Sequence, residues 1–245
     1  MLLRIVAFVT ALAVLGLAIM AAYPVSRLSL TELVKKSFQL KKNVDAELTR
    51  VVVQISVLSR SQGSITVEQK SGTGFNIDPG GIIITNYHVI EDAMNMSITF
   101  PDGKVYRADH WSSRPESDLA VISLQAENLP AAPVDFSNLP APGDKIRVVG
   151  NPLEMNNILV EGQVLQYLKI KDRQGRIFSI DAPIYPGNSG SPVYDMDGQV
   201  VGVVFGSLKG ENNGSVQVAG LAVSIIEAQD LIKAMTAEKQ DGAGQ

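Results

Sequence analysis

Cysteine is absent from this chain of 245 residues. That excludes a disulfide framework, a thiolate metal site and a cysteine nucleophile. Histidine occurs only twice, which excludes a histidine-rich metal cluster. Aromatic residues are sparse at 6%, and there is no basic excess: 21 lysines and arginines face 25 acids, a net charge of −4. Neutralising phosphates needs a positive surface, so nucleic acid is not expected as a partner. What the chain does have is 45% apolar residues, 21 glycines and 12 prolines. Such an apolar share excludes a disordered chain, and the length suffices for a core without staples.

The N-terminus holds one long uncharged run, Ile5 to Tyr23, behind Arg4. As a helix it would span about 28 Å, close to the hydrocarbon thickness of a bilayer. Two readings stay open. A retained transmembrane anchor is favoured because the run exceeds the usual signal-peptide core of about 7–15 residues. A cleaved signal sequence over residues 1–23 is the alternative. Residues 24–49 read as a juxtamembrane helix or linker, with Leu28, Leu30, Leu33, Val34, Phe38 and Leu40 near helical spacing. Arg27, Lys35 and Lys36 outnumber Arg4, and the positive-inside rule alone would keep the rest of the chain in the cytoplasm.

From about Arg50 the texture changes to short β-branched runs separated by turn residues. These are Val51–Ile55, Ile82–Ile84, Met96–Phe100, Leu119–Ile122, Ile146–Val149, Ile158–Val160, Ile177–Ile180, Val200–Phe205 and Val218–Val223. Turns are expected at Asp78–Gly81, Pro101–Gly103, Pro142–Asp144 and Asp197–Gly198. Many short strands with such punctuation argue an all-β barrel or sandwich. Residues 126–144, rich in proline and alanine, read as the connection between two β halves. Ser224 to Glu238 has helical spacing, and a disordered tail is expected from Gln240. Asp195-Met-Asp-Gly198 resembles a fragment of a calcium loop but is read as a hairpin turn.

Three polar residues stand where apolar packing does not explain them. His88 follows an apolar strand in Thr85-Asn-Tyr-His-Val-Ile90. Asp118 precedes one in Glu116-Ser-Asp-Leu-Ala-Val121. Ser189 lies in Tyr185-Pro-Gly-Asn-Ser-Gly-Ser-Pro192. Glycines on both sides of Asn188-Ser189 let the backbone turn sharply and focus its N–H groups. A serine there can attack a carbonyl while the N–H groups of Gly187 and Ser189 hold the oxyanion. Serine needs a base to take its proton, histidine is that base near neutral pH, and a carboxylate fixes the histidine tautomer. The chain supplies these in the order His, Asp, Ser, the order of the chymotrypsin class. Taken singly, each has an ordinary reading as a surface histidine, a turn aspartate or a loop serine.

Together the motifs resemble the protease domain of the HtrA/Deg family of trypsin-like serine proteases. The resemblance rests on Ser71-Gly-Thr-Gly-Phe75, Ile84–Ile90, Ser117–Val121, Gly150-Asn-Pro152, Asp181-Ala182, Pro186–Gly190, Gly198–Gly202 and Gly220–Val223. It implies an all-β, chymotrypsin-like fold of two six-stranded antiparallel barrels with a short C-terminal helix. The protease domain would cover 50–230, with barrels over about 50–128 and 143–223, and residues 231–245 would hold the helix end and tail. His88 is then the general acid/base, Asp118 its orienting carboxylate and Ser189 the nucleophile. Gly187, Asn188 and Ser189 frame the oxyanion hole. Ile184, Tyr185, Pro186, Val203, Phe205 and Leu208 line the substrate pocket, which lacks an acidic residue and is expected to take aliphatic side chains. No cofactor and no metal are required.

The chain departs from the family pattern at Ser191 and Glu154, where glycine is usual, and at Tyr185, where asparagine is frequent. Too few residues follow Ser224 for the PDZ domain that commonly comes next, so PDZ-dependent capture is not expected. The family implies unfolded or extended protein substrates, a homotrimer and a site beyond the cytoplasmic membrane. With the apolar run this gives a single-pass anchor with an extracytoplasmic catalytic domain, or a secreted enzyme after signal cleavage. A different class of function, a catalytically silent protease fold that binds extended peptide by strand addition, is the rival reading. A weaker one is a glutamate-specific or chymotrypsin-like protease of another subfamily.

Overall fold

The structure is a computed structural model. It describes residues 31, 34, 35, 37, 46–60, 66–108, 110–151, 155, 157–212 and 215–242. The expected span Ile5–Tyr23, most of the 24–49 segment and Ala243–Gln245 lie outside these residues. Among the described residues, no helix is long and apolar enough to cross a membrane. Of residues 1–35 only Thr31, Val34 and Lys35 are described, all helical.

A short helix α1 (Glu47–Arg50) leads into the first β half. Its strands are β1 (Val52–Ser59), β2 (Glu68–Asn76), β3 (Ile82–Thr85), β4 (Ala93–Thr99), β5 (Val105–Ala108), β6 (His110–Arg114) and β7 (Leu119–Ser123). Helix α2 (Tyr87–Ile90) sits between β3 and β4. The second half holds β8 (Lys145–Gly150), β9 (Ile158–Leu168), β10 (Ile177–Ile180), β11 (Pro192–Tyr194), β12 (Val200–Asn212) and β13 (Ser215–Ser224). A 3₁₀ turn, Ile225–Ala228, then passes into helix α3 (Gln229–Gly242).

The second half closes as expected into a six-stranded antiparallel barrel, β10-β13-β12-β11-β8-β9. The first half corrects the expectation of a second six-stranded barrel. It is a seven-stranded sheet, β5-β4-β1-β2-β3-β7-β6, without a closing ladder. Its two edge strands, β5 and β6, follow each other along the chain with one residue between them. The two edges are thus consecutive in the chain, and among the described residues no ladder pairs them.

Strands β3 and β7 read as unbroken apolar runs because both of their faces are buried. Ile82, Ile84, Leu119 and Val121 face a core shared with Val149, Leu159, Val200, Val203 and Val223 of the second half. The alternate residues Ile83, Ala120 and Ile122 pack inside the first half with Val53, Ile55, Met96 and Ile98. The two-residue period of a strand thus welds the halves together. The 126–144 connection is pinned: Ala132 N–H donates to the Asn76 carbonyl at 2.8 Å, and Val134 bridges Val200. Helix α3 runs further than the sequence suggests, to Gly242. Lys239 explains the extension, because its ammonium is held by the carbonyls of Gly80 and Leu124. The Asp195–Gly198 segment is a turn in which the Asp195 carboxylate accepts the N–H groups of Asp197 and Gln199.

Candidate active site

Asp118 lies just before β7, at the end of the 3₁₀ turn Pro115–Ser117, in a left-handed conformation at φ 55°. Its side chain is 2% exposed. It grips α2 at two points: Oδ1 accepts the His88 backbone N–H at 3.0 Å, and Oδ2 meets His88 Nδ1 at 2.8 Å. The Asp118 carbonyl is also occupied, by Asn86 Nδ2 at 2.9 Å and Tyr87 N–H at 3.2 Å. Helix α2 is therefore tied to the turn by backbone and side chain together, and the imidazole has little rotational freedom. Burial works to raise the Asp118 pKa, but the His88 bonds and charge and the nearby Arg173 outweigh it and hold the carboxyl below its ordinary 3.8. The group is ionised at neutral pH, so it can only accept. Against that acceptor His88 Nδ1 is the donor, and Nε2 is the ring nitrogen left without a described partner.

The Ser189 loop sits against β2. Thr73 N–H donates to the Ser189 carbonyl at 2.8 Å, and the Thr73 hydroxyl donates to the Gly187 carbonyl at 2.7 Å. That hydroxyl also accepts the Asn151 N–H at 3.1 Å. Gly190 has φ 87°, and a Cβ there would fall 1.9 Å from the Thr73 carbonyl oxygen, so glycine alone fits. Gly72 stands at the junction: a Cβ on it would meet Val89, the neighbour of His88, at 2.7 Å and the Ser189 carbonyl at 3.4 Å. Glycine in β2 is what lets the histidine helix and the serine loop approach one strand from two sides. Within the loop, the N–H groups of Asn188, Gly190 and Ser191 are spent on the carbonyls of Tyr185, Val204 and Asn188. Those of Gly187 and Ser189 donate to none of the described residues. Ser189 Oγ makes no hydrogen bond with His88 among the described contacts.

The remaining sequence candidates divide. Asn188 is buried with its Oδ1 turned inward, and it contributes to the loop through its backbone. Ile184 packs over Gly220 of β13, Tyr185 is half-buried and Pro186 exposed. Leu208 is 49% exposed, whereas Val203 is sealed in the shared core and presents no surface to a ligand. Phe205 carries the Arg173 guanidinium 5.3 Å above its ring. Ser191 is completely buried, and its hydroxyl fits because Gly150 lacks a side chain: a Cβ there would fall 2.2 Å away. Thr73, Asn151 and Arg173 carry positions that residue type alone does not reveal. The first two lie inside motifs quoted above, while Arg173 gave no signal. Among the described residues no three His, Asp or Glu side chains gather as a metal site requires. A cleft of about 360 Å³ lies elsewhere, between α1 and the β11–β12 turn, and none of the candidate site residues line it.

The family described as the trypsin-like peptidase domain matches residues 72–203, more than half of the chain. The chain belongs to the trypsin-like peptidase family. Within the family its similarities run to HtrA-type members. It is 35% identical over 173 residues to the Chlamydia muridarum protein named "Probable periplasmic serine endoprotease DegP-like", covering 69% of this chain and 34% of that protein. It is 33% identical over 170 residues to "Protease Do-like 1, chloroplastic" of Arabidopsis thaliana, covering 64% and 39%. The crystal structure of the serine endoprotease from Yersinia pestis superposes with a TM-score of 0.62 at 26% identity, over 76% of this chain and 62% of that one. The chain thus spans about a third of the length of the curated relatives it matches.

Proposed function

We propose that this peptidase-family member is an HtrA-type serine endopeptidase acting by acyl transfer through Ser189, His88 and Asp118. The observation that carries the reading is the two-point hold of the buried Asp118 carboxylate on His88, at 3.0 and 2.8 Å. The second fixes the ring, and a fixed ring with Nδ1 protonated is what a general base requires. In the proposed cycle His88 Nε2 takes the Ser189 proton as Oγ attacks the peptide carbonyl. The unspent N–H groups of Gly187 and Ser189 receive the oxyanion. His88 then returns the proton to the leaving amine, and water cleaves the acyl-enzyme by the same steps in reverse order.

Unfolded or extended protein segments are the proposed substrates, with aliphatic side chains in a pocket bounded by Ile184, Tyr185 and Leu208. The relatives named periplasmic support an extracytoplasmic catalytic domain, and the single-pass anchor Ile5–Tyr23 is the proposed tether. Proteolysis of intact spheroplasts should destroy an epitope at Gln245; its protection until the membrane is opened would reverse the orientation. The activity itself is tested by peptide-library cleavage with the wild type, Ser189→Ala and His88→Ala. Cleavage after aliphatic residues, lost in both variants, is the expected result. Cleavage that survives in either variant, or a profile dominated by basic residues, contradicts the assignment.

A further inference from the structure

Arg173 sits in the β9–β10 connection of the barrel, while Asp118 belongs to the other half of the molecule. The Arg173 Nη1 nitrogen is 3.0 Å from Asp118 Oδ2, the same oxygen that meets His88 Nδ1. Its guanidinium lies over the Phe205 ring, 5.3 Å from the centroid, a cation–π contact that favours this placement. The next residue adds a backbone tie, Gln174 N–H to the Glu116 carbonyl at 2.8 Å. The neighbouring charges are otherwise engaged. Arg176 pairs with Glu227 at 3.0 Å, and Arg114 donates to the Glu227 carbonyl and faces Asp230. On α2, Tyr87 is bonded to Glu91. Of the side chains on the two packed segments, which also carry Glu116, Lys169, Lys171 and Asp172, Arg173 is the cation that reaches the buried carboxylate.

We propose that Arg173 is a positioning residue for the His88–Asp118 pair, and that its charge sets the acid side of the activity profile. This rests on the functional reading above. The carboxylate is shared between two cations once His88 is protonated. With Arg173 present, an imidazolium at His88 receives less of the Asp118 charge than it would alone, so the free base persists to lower pH. With Arg173 neutralised, His88 holds its proton more readily. The sign is therefore fixed: removing the cation moves the acid limb of kcat/KM to higher pH. A third of the arginine side chain is exposed, so solvent screens the pair and the displacement is modest.

The test compares Arg173→Met, which keeps the stem over Phe205, with Arg173→Lys, which keeps the charge. Profiles of kcat/KM against pH should show the acid limb of Arg173→Met displaced upward and its plateau lowered about threefold, with Arg173→Lys largely restored. A charge effect of this kind shrinks in high salt. Unchanged profiles for both variants overturn the proposal. Equal displacement in both variants, together with a lowered Tm, makes Arg173 a structural tie and overturns it as well. A second measurement does not depend on turnover. The chain has only two histidines, so in a Ser189→Ala background His88 can be followed by NMR against His110. Its protonation midpoint should rise when Arg173→Met is added. A rise without peptidase activity in the wild type would spare the ion pair and sink the functional reading. Activity without a rise would do the reverse.

Discussion

Thr73→Val tests whether the serine loop is held from β2. Valine matches threonine in shape, so the substitution removes one hydroxyl and little packing. Thr73 is completely buried. Its hydroxyl serves two backbone groups, the Gly187 carbonyl at 2.7 Å and the Asn151 N–H at 3.1 Å. Each is left without that partner in a place water reaches poorly, at about 1–3 kcal/mol per group. The sum is about 3 kcal/mol, or a Tm lowered by roughly 6–12 °C for a domain of this size. The larger effect should be catalytic. The Gly187–Asn188 peptide would lose the bond that sets its rotation, and that peptide lies between the two N–H groups proposed to hold the oxyanion, those of Gly187 and Ser189. Losing such a donor costs about 10²–10³ in kcat. We expect kcat to fall about a hundredfold with KM within about threefold, a split that marks an interaction made in the transition state. Thr73→Ser, which keeps the hydroxyl, should recover most of both losses. Calorimetry and steady-state peptide kinetics suffice. Wild-type kcat and a Tm within about 2 °C for Thr73→Val would refute the reasoning that this hydroxyl orients the loop.

Asp118→Asn should reduce kcat by about four orders of magnitude while the domain stays folded, since the amide can present its N–H to His88 and leave the wrong tautomer. The same variant has a stability signature. The Asp118 carboxyl is held below its ordinary 3.8, so its contribution is fully present above about pH 4 and is lost as pH falls through the lower folded-state value. Denaturant melts at pH 2–5 should show a shallower acid decline in Asp118→Asn; an identical decline would discount the pair as a stabiliser. Tyr194→Phe should cost about 1–2 kcal/mol and leave kcat unchanged. Its buried hydroxyl donates to the Leu48 carbonyl of α1 at 3.0 Å, outside the group formed by His88, Asp118 and Ser189. A changed kcat would show that α1 communicates with the site.

Residue type and pattern carried the β-rich architecture because β3 and β7 are buried apolar runs, β10 nearly so, and β8 alternates through Lys145-Ile-Arg-Val148. They did not carry β2. Its sequence, Glu-Gln-Lys-Ser-Gly-Thr-Gly-Phe-Asn, is polar at one end and broken by glycines. The reason lies in its neighbours: a Cβ on Gly74 would fall 2.8 Å from Ile55 and 2.9 Å from Ile83. Smallness there is a demand of adjacent strands, which no local rule reads. Strand β11 was hidden for another reason, being three residues long and opening on a proline. His88, Asp118 and Ser189 were legible because each sits beside glycine or at a strand end, where apolar packing offers no explanation. Arg173 was not legible. Its partner is 55 positions distant in a different half of the fold, and only the packing of the β9–β10 connection on the Asp118 turn brings the two together.

In the proposed mechanism Ser189 is a nucleophile activated by His88. The most direct measurement is reaction of the purified chain with a fluorophosphonate, followed by peptide mass mapping. One adduct on Ser189, absent from Ser189→Ala and slowed by orders of magnitude in His88→Ala, is the predicted result. An unlabelled Ser189 in a folded preparation, or labelling at the same rate without His88, would contradict it.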